Sequence, residues 1–157
     1  KPKYTHHVVG GNFRLDAMQA ALLSVKLRFL RQQIVVRQSL ASRYDELFNA
    51  SGLVERGLVS TPVRQPNSEH TFNQYVVRVQ RRDEVRSFLA DHGVASMVYY
   101  PSPLHLQPCF AHLGHGPGDF PHAELACKEV LALPCLPGLT TDEQSMVVHQ
   151  IASFYGC

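Results

Sequence analysis

Gly10-Gly11-Asn12-Phe13-Arg14-Leu15-Asp16-Ala17-Met18-Gln19-Ala20-Ala21-Leu22-Leu23 is the stretch on which the reading of the fold turns. A glycine pair leads to two polar side chains, Asn12 and Arg14, and then to a helical period. Leu15, Met18, Leu22, Val25 and Phe29 recur at three- and four-residue spacing, with Leu23, Leu27 and Leu30 widening the stripe. Asp16 falls in the first turn, where a carboxylate favours the positive helix end. The period weakens through Ile34-Val35-Val36-Arg37, resumes at Leu40, Tyr44, Leu47 and Phe48, and stops at Asn49-Ala50-Ser51-Gly52. The spacing predicts one very long helix over 12–50, or two joined by a bend near 33–38. Residues 1–11 read as an arm ahead of it. A helix of that length suits a connector between two domains better than the start of a compact one.

Residues 51–157 carry a different pattern. Residues 53–71 are loop-like, and Phe72 to Val79 reads as a strand with Tyr75, Val77 and Val79 on one face. Asp83 is a candidate cap for a helix that ends at His92-Gly93, and Val94 to Tyr100 reads as a second strand. Residues 101–119 form a long loop rich in Pro, His and Gly. A helix is expected from Pro121 to about Leu131, then a short apolar strand over 132–137. Thr141 is expected to cap the last helix, with Gln144 as its capping-box partner and Val147, Val148, Ile151, Phe154 and Tyr155 on the apolar face. The expected fold is α+β: a long helix followed by a small two- to three-stranded sheet covered by helices. Met18, Met97 and Met146 look like gap-filling core residues.

Composition excludes several function classes. The 157 residues carry a formal charge of +2, and the densest basic cluster, Arg78, Arg81, Arg82 and Arg86, is interleaved with Asp83 and Glu84. That pattern reads as a solvated helix start and not as a nucleic-acid surface. No apolar run reaches the length of a membrane span, and the N-terminus lacks the apolar core of a signal peptide. The four cysteines, Cys109, Cys127, Cys135 and Cys157, form no CxxC and no regular framework. They read as free thiols of a reducing compartment, which points to the cytoplasm.

The candidate chemistry is sparse. Asn12 has two readings. It can cap the helix, its side-chain oxygen accepting a first-turn amide. It can also turn outward, with Arg14, to hold a phosphate at the helix start. His105 follows Tyr99-Tyr100-Pro101-Ser102-Pro103-Leu104, just past an expected strand end, where site residues and plain surface histidines both occur. One of Tyr99 and Tyr100 is expected in the core, the other in a surface pocket. His105, Cys109, His112, His115 and His122 crowd the loop, but their spacing matches no pattern in which metal ligands converge. No metal is expected, and no nucleophile motif is present.

Read as a whole, Gly11-Asn12-Phe13-Arg14-Leu15-Asp16-Ala17-Met18-Gln19-Ala20-Ala21 resembles the G-x-N-x-R-[LM]-x-x-[LM]-Q-A-A signature of the DegT/StrS family. These are pyridoxal-phosphate-dependent sugar aminotransferases of fold type I. Later blocks match in the same order: His70-Thr71-Phe72-Asn73-Gln74-Tyr75, then Tyr99-Tyr100-Pro101-Ser102-Pro103-Leu104-His105-Leu106-Gln107, then Gly118-Asp119-Phe120-Pro121 with Glu124, then Leu131-Ala132-Leu133-Pro134. Leu136 and Gly138 depart from the pattern, where an aromatic and an acidic residue are common.

The resemblance implies the C-terminal part of such an enzyme. It would comprise an arm (1–11), an inter-domain helix or bent pair (12–50) and the small domain (51–157). The large domain and its cofactor-binding lysine would lie upstream, so that this chain alone neither holds the cofactor covalently nor transaminates. The family's active site lies at a homodimer interface. Asn12 would reach the cofactor phosphate of the neighbouring subunit, Arg14 would lie beside nucleotide phosphates, and His105 with Tyr99 or Tyr100 would lie towards the sugar-nucleotide pocket. The wording of the later blocks is similar to members that aminate C3 of a UDP- or dTDP-linked 3-keto sugar, with glutamate as donor, for cell-surface polysaccharide or glycoside biosynthesis. The alternative is a stand-alone, non-catalytic module that keeps the small-domain fold and associates with a partner.

Overall fold

The computed structural model describes residues 3–157, so Lys1 and Pro2 of the expected arm lie outside the described residues. The long helical stretch is two helices, α1 (Ala17–Leu27) and α2 (Leu30–Ala50). They part at Arg28-Phe29 and not at 33–38. Phe29 N–H donates to the Lys26 carbonyl and Gln33 N–H to that of Phe29, so α2 starts afresh from Phe29. No glycine or proline marks the break, which is why it is invisible in the residue pattern. The β-branched run Ile34-Val35-Val36, where the bend was expected, continues as helix.

Three antiparallel strands follow in the spatial order β1-β2-β3: β1 (Val59–Ser60), β2 (Tyr75–Val79) and β3 (Val130–Leu133). Tyr75 pairs with Leu133, Val77 with Leu131, and Val59 with Val79. The expected strand over 94–100 is reduced to a single bridge in which Met97 and Ala132 exchange hydrogen bonds. Val94, Ser96 and Val98 do turn inward between the exposed Ala95 and Met97, so the alternation is real, and what is missing is a paired neighbour on either side of the Met97 bridge. The fourth helix, α4 (Pro121–Glu129), stops two residues short of the expected Leu131 because Val130 is already paired with Arg78 in the sheet.

The core forms where α2, α3 (Arg82–Asp91) and α5 (Thr141–Tyr155) close over the sheet. Ala41, Tyr44 and Phe48 of α2, at helical spacing, meet Tyr75, Val77 and Val79 of β2, Val85 and Leu89 of α3, and Val147, Val148 and Ile151 of α5. Tyr44 stacks on Tyr75 with ring centroids 4.9 Å apart. The Tyr44 hydroxyl donates to the Pro134 carbonyl at 3.0 Å, so a polar tip buried in the core has its partner.

Several local expectations shift. Thr140, not Thr141, caps α5: its hydroxyl accepts Glu143 N–H, and Glu143 answers with a carboxylate on Thr140 N–H at 2.7 Å. Gln144, the expected partner, points inward and donates to the Leu40 carbonyl at 2.9 Å. Arg81 precedes α3 in the left-handed region at φ 52°, and Asp83 lies inside the first turn. Arg82 is not a solvated charge. Its side chain is buried, donating to the Val130 carbonyl at 3.0 Å and pairing with Asp83 at 2.7 Å. The three methionines are exposed, Met18 at 80 %, Met97 at 36 % and Met146 at 43 %, so none fills the core. The α1 stripe is exposed as well, with no buried residue in that helix. No described helix is long and apolar enough to cross a membrane.

Candidate functional site

The segment ahead of α1 has no regular structure up to Asp16. Asp16 is the helix cap: its carboxylate accepts Gln19 N–H at 2.8 Å. Asn12 therefore lies four residues ahead of the cap and does not serve as one. The reason is spacing, because a capping side chain reaches the amide three residues on, and the first turn begins at Ala17. The same geometry revises the anion reading. The positive end of α1 is already met by the Asp16 carboxylate, so a phosphate here would be held by side chains. Asn12 and Arg14 supply them. Both are exposed, and among the described residues no group takes up the Asn12 amide or the Arg14 guanidinium. The Phe13 ring, 91 % exposed, folds back over Gly11.

The arm meets the loop that follows Tyr100. After Pro101-Ser102-Pro103 that loop makes two short 3-10 helices, Leu104–Leu106 and Pro108–Leu113, with Gln107 between them. Gln107 is buried, donates from Nε2 to the Tyr4 carbonyl at 3.0 Å, and accepts His6 N–H on Oε1 at 3.0 Å. Cys109 N–H donates to the His6 carbonyl at 3.0 Å. Tyr100 packs edge-on against Tyr4 at 5.6 Å. Tyr4, His6, Tyr100, Ser102 and Gln107 line a cavity of about 480 Å³. Tyr99 is half-buried and Tyr100 is 59 % exposed, so neither enters the core.

His105 turns the other way, into a neighbouring apolar cavity of about 420 Å³ walled by Phe110, Leu113, His115, Phe120 and Cys127. Leu104 and Cys127 line both cavities, which therefore share a wall. His105 Nε2 lies 3.1 Å from Glu124 Oε1, with the imidazole only 8 % exposed. Glu124 Oε1 also accepts Gly118 N–H at 2.8 Å. The Gly118 amide first, then the His105 ring, hold the Glu124 carboxyl below its ordinary range. An ionised carboxylate only accepts, so His105 Nε2 carries the proton and Nδ1 is left for other contacts. Asp119 repeats the device one turn earlier, accepting Gly116 N–H at 2.9 Å, with His115 beside it. Burial pushes the Cys127 thiol up, away from thiolate reactivity.

The structure thus joins Tyr100 to the arm and gives His105 a carboxylate partner. Asn12 and Arg14 line neither cavity. Gln107 and Glu124 stood in the sequence only as motif letters. Glu124 had a readable signal, a carboxylate in the first turn of a helix that opens on Pro121. Gln107 had none, since its partners lie 101 and 103 residues away in the chain. Among the described residues no three His, Cys, Asp or Glu side chains are grouped as a metal site requires.

Residues 1–152 match the profile of the DegT/DnrJ/EryC1/StrS aminotransferase family. The chain belongs to that family. This DegT-family chain is 48% identical over 155 residues to the "pleiotropic regulatory protein" of Geobacillus stearothermophilus, covering 99% of the chain and 41% of that relative. It is 35% identical over 151 residues to a dTDP-3-amino-3,4,6-trideoxy-alpha-D-glucose transaminase of Streptomyces venezuelae, covering 96% of the chain and 38% of that enzyme. Its fold matches the crystal structure of S. venezuelae DesV, in complex with a ketimine intermediate. The TM-score is 0.80 at 34% identity, over 98% of this chain and 40% of that one. The DegT-family chain therefore spans about two fifths of the length of the relatives it matches. Its helices and three-stranded antiparallel sheet are those of the family's small C-terminal part, as expected for fold type I.

Proposed function

We propose that this chain is the C-terminal part of a pyridoxal-phosphate-dependent nucleotide-sugar aminotransferase that works as a cytoplasmic homodimer. In that reading residues 1–11 form the arm, 12–50 the inter-domain helices and 51–157 the small domain. The observation that carries it is the exposed pair Asn12 and Arg14, without a partner among the described residues, ahead of a helix already capped by Asp16. An amide and a guanidinium fit a phosphate by donor type, and charge-assisted bonds to it are the stronger kind. Pyridoxal phosphate, when bound, supplies the electron sink for amino-group transfer. This chain's own residues bind and orient. Asn12 donates to the cofactor phosphate of the neighbouring subunit, and Arg14 holds nucleotide phosphates beside it. His105 and, across the wall that the two cavities share, Tyr99 or Tyr100 lie towards the sugar-nucleotide pocket, with His105 offering Nδ1 while Glu124 holds Nε2.

The substrate reading is a nucleotide-linked 3-keto sugar aminated at C3 with glutamate as donor, for cell-surface polysaccharide or glycoside synthesis. The name of the S. venezuelae relative, a dTDP-3-amino sugar transaminase, supports the sugar class. The test is cofactor retention by the whole protein. Asn12→Ala should weaken pyridoxal phosphate binding about tenfold, the loss of one hydrogen bond to a charged group, with an unchanged thermal melt. Unchanged affinity would remove Asn12 from the site. A whole protein that takes up no pyridoxal phosphate, judged by the absence of its yellow absorbance, would sink the enzyme reading in favour of a binding module.

A further inference from the structure

Arg82, Gln107 and Gln144 are the buried polar or charged residues among those described. Arg82 and Gln144 each donate to a carbonyl inside the packed layer, of Val130 and Leu40, and Arg82 also pairs with its neighbour Asp83. Gln107 alone turns both ends of its amide onto a segment outside the core. Its Nε2 donates to the Tyr4 carbonyl and its Oε1 accepts from His6 N–H, so the amide straddles Thr5 as a neighbouring strand would. Cys109 N–H then takes the His6 carbonyl, leaving both backbone groups of His6 satisfied. The Tyr4 ring is set by Tyr100.

From His7 to Leu15 every residue is exposed, until Asp16 closes the first turn of α1. The span that carries Asn12 and Arg14 is thus strung between two fixed points, the His6 backbone and the Asp16 cap. A tethered span presents its side chains at a local concentration set by its ends, and releasing one end adds conformational freedom that binding must remove. We infer that Gln107 is the positioning residue of the arm: it holds Tyr4 and His6 so that Asn12 and Arg14 are presented to their phosphate ligand. The cofactor part of this inference rests on the function proposed above; the clamp itself rests on the geometry alone. The chemistry is specific to glutamine. Methionine keeps the volume and loses both bonds. Glutamate keeps the acceptor for His6 and loses the donor for Tyr4. Asparagine is one methylene too short to straddle Thr5.

The experiment uses the whole protein, as wild type, Gln107→Met, Gln107→Glu, Asn12→Ala and the Gln107→Met/Asn12→Ala double variant. Amide hydrogen exchange is read first, without reference to activity. Gln107→Met should speed exchange at His6 and Cys109 by about tenfold or more, as expected for a local opening, and leave Val77 in the central strand β2 at its wild-type rate. Unchanged exchange at His6 and Cys109 overturns the clamp. If Gln107→Met also loses protection at Val77, the decision passes to Gln107→Glu. In that variant an ionised carboxylate faces the Tyr4 carbonyl with no proton to give, and that repulsion should push the arm away and lower protection at His6 at neutral pH even though an acceptor remains. Protection should return, relative to wild type at the same pH, as the carboxyl protonates and regains a donor for Tyr4 O. Absence of that return overturns the clamp equally.

Pyridoxal phosphate affinity is read second. Gln107→Met should weaken it about tenfold, and the double variant should bind no more weakly than Asn12→Ala alone, because both act through one contact. Additive losses, or an unchanged affinity, overturn the positioning role. A wild-type protein that takes up no cofactor sinks the function proposed above and the cofactor role with it, while the exchange rates still decide the clamp.

Discussion

Tyr75 shows how much one residue can hold. Its ring lies between Tyr44, at 4.9 Å, and Phe72, at 6.2 Å, and its hydroxyl donates to Asp45 Oδ1 at 2.6 Å. Burial, and then the Asp45 carboxylate, push that hydroxyl well above the ordinary tyrosine range, so it stays a donor throughout the accessible pH. Asp45 in turn pairs with Arg64 at 2.6 Å, which ties α2 to the chain entering β2. Tyr75→Phe keeps the stacked ring and deletes the bond to a charged acceptor. It should cost about 2 kcal/mol by urea denaturation. A cost near zero would mean that Arg64 alone satisfies Asp45. In the sequence Tyr75 was legible as a buried strand residue by its alternation with Val77 and Val79. Its link to Asp45, 30 residues back, was not.

At the scale of elements, caps and turns decide where helices begin. Thr140 and Thr141 are adjacent, and either could head a capping box by residue type. The structure chooses Thr140 because α5 then turns Gln144, Val147, Val148 and Ile151 inward. Thr140→Ala should therefore cost about 1 kcal/mol in chemical denaturation, whereas Thr141→Ala should stay within about 0.5 kcal/mol. The reverse order would return the cap to Thr141.

Carboxylates tie the turns down in the same way. Glu124 on Gly118 N–H, Asp119 on Gly116 N–H and Glu143 on Thr140 N–H are all held below their ordinary values by those amides. A carboxyl depressed in the folded state stabilises above its unfolded pKa, and that contribution is lost as pH falls through the folded one. The melting temperature should thus be steady above the ordinary glutamate value of 4.5 and fall progressively below it. In a Glu124→Gln/Glu143→Gln variant the acid slope should be shallower. An identical slope would show that these turns do not contribute. The 3-10 helices were hidden in a stretch that reads only as a Pro- and His-rich loop, and so was the tie from His105 in that loop to Glu124 in the helix after it. Loop conformation follows from hydrogen bonds between segments, which leave no periodic trace.

Across the whole molecule, one apolar pattern has two outcomes. Leu15, Met18, Leu22 and Phe29 continue into Tyr44 and Phe48 as a similar helical stripe, yet the first group is exposed and the second buried. Periodicity reports which side of a helix is apolar, not what lies against it. Two substitutions separate the cases in this chain: Phe48→Ala should cost about 3–5 kcal/mol of stability, and Leu22→Gln should change it by less than about 0.5 kcal/mol. Equal costs would mean that α1 is packed in solution.

Sequence alone determined the family, the α+β class, the buried face of β2 and the apolar face of α5, whereas β1 lay in a stretch that reads as loop. Each of these is written in local spacing or in an ordered set of motif residues. Only the tertiary structure decided that Met18, Met97 and Met146 lie outside the core, that the segment after Gly93 makes one bridge in place of a strand, and that Arg82 is buried. It also moved Asn12 out of the helix cap and showed Gln107 reaching back to the arm. These outcomes depend on pairs of groups far apart in the chain, and such pairs acquire an energy only once folding has brought them within bonding distance.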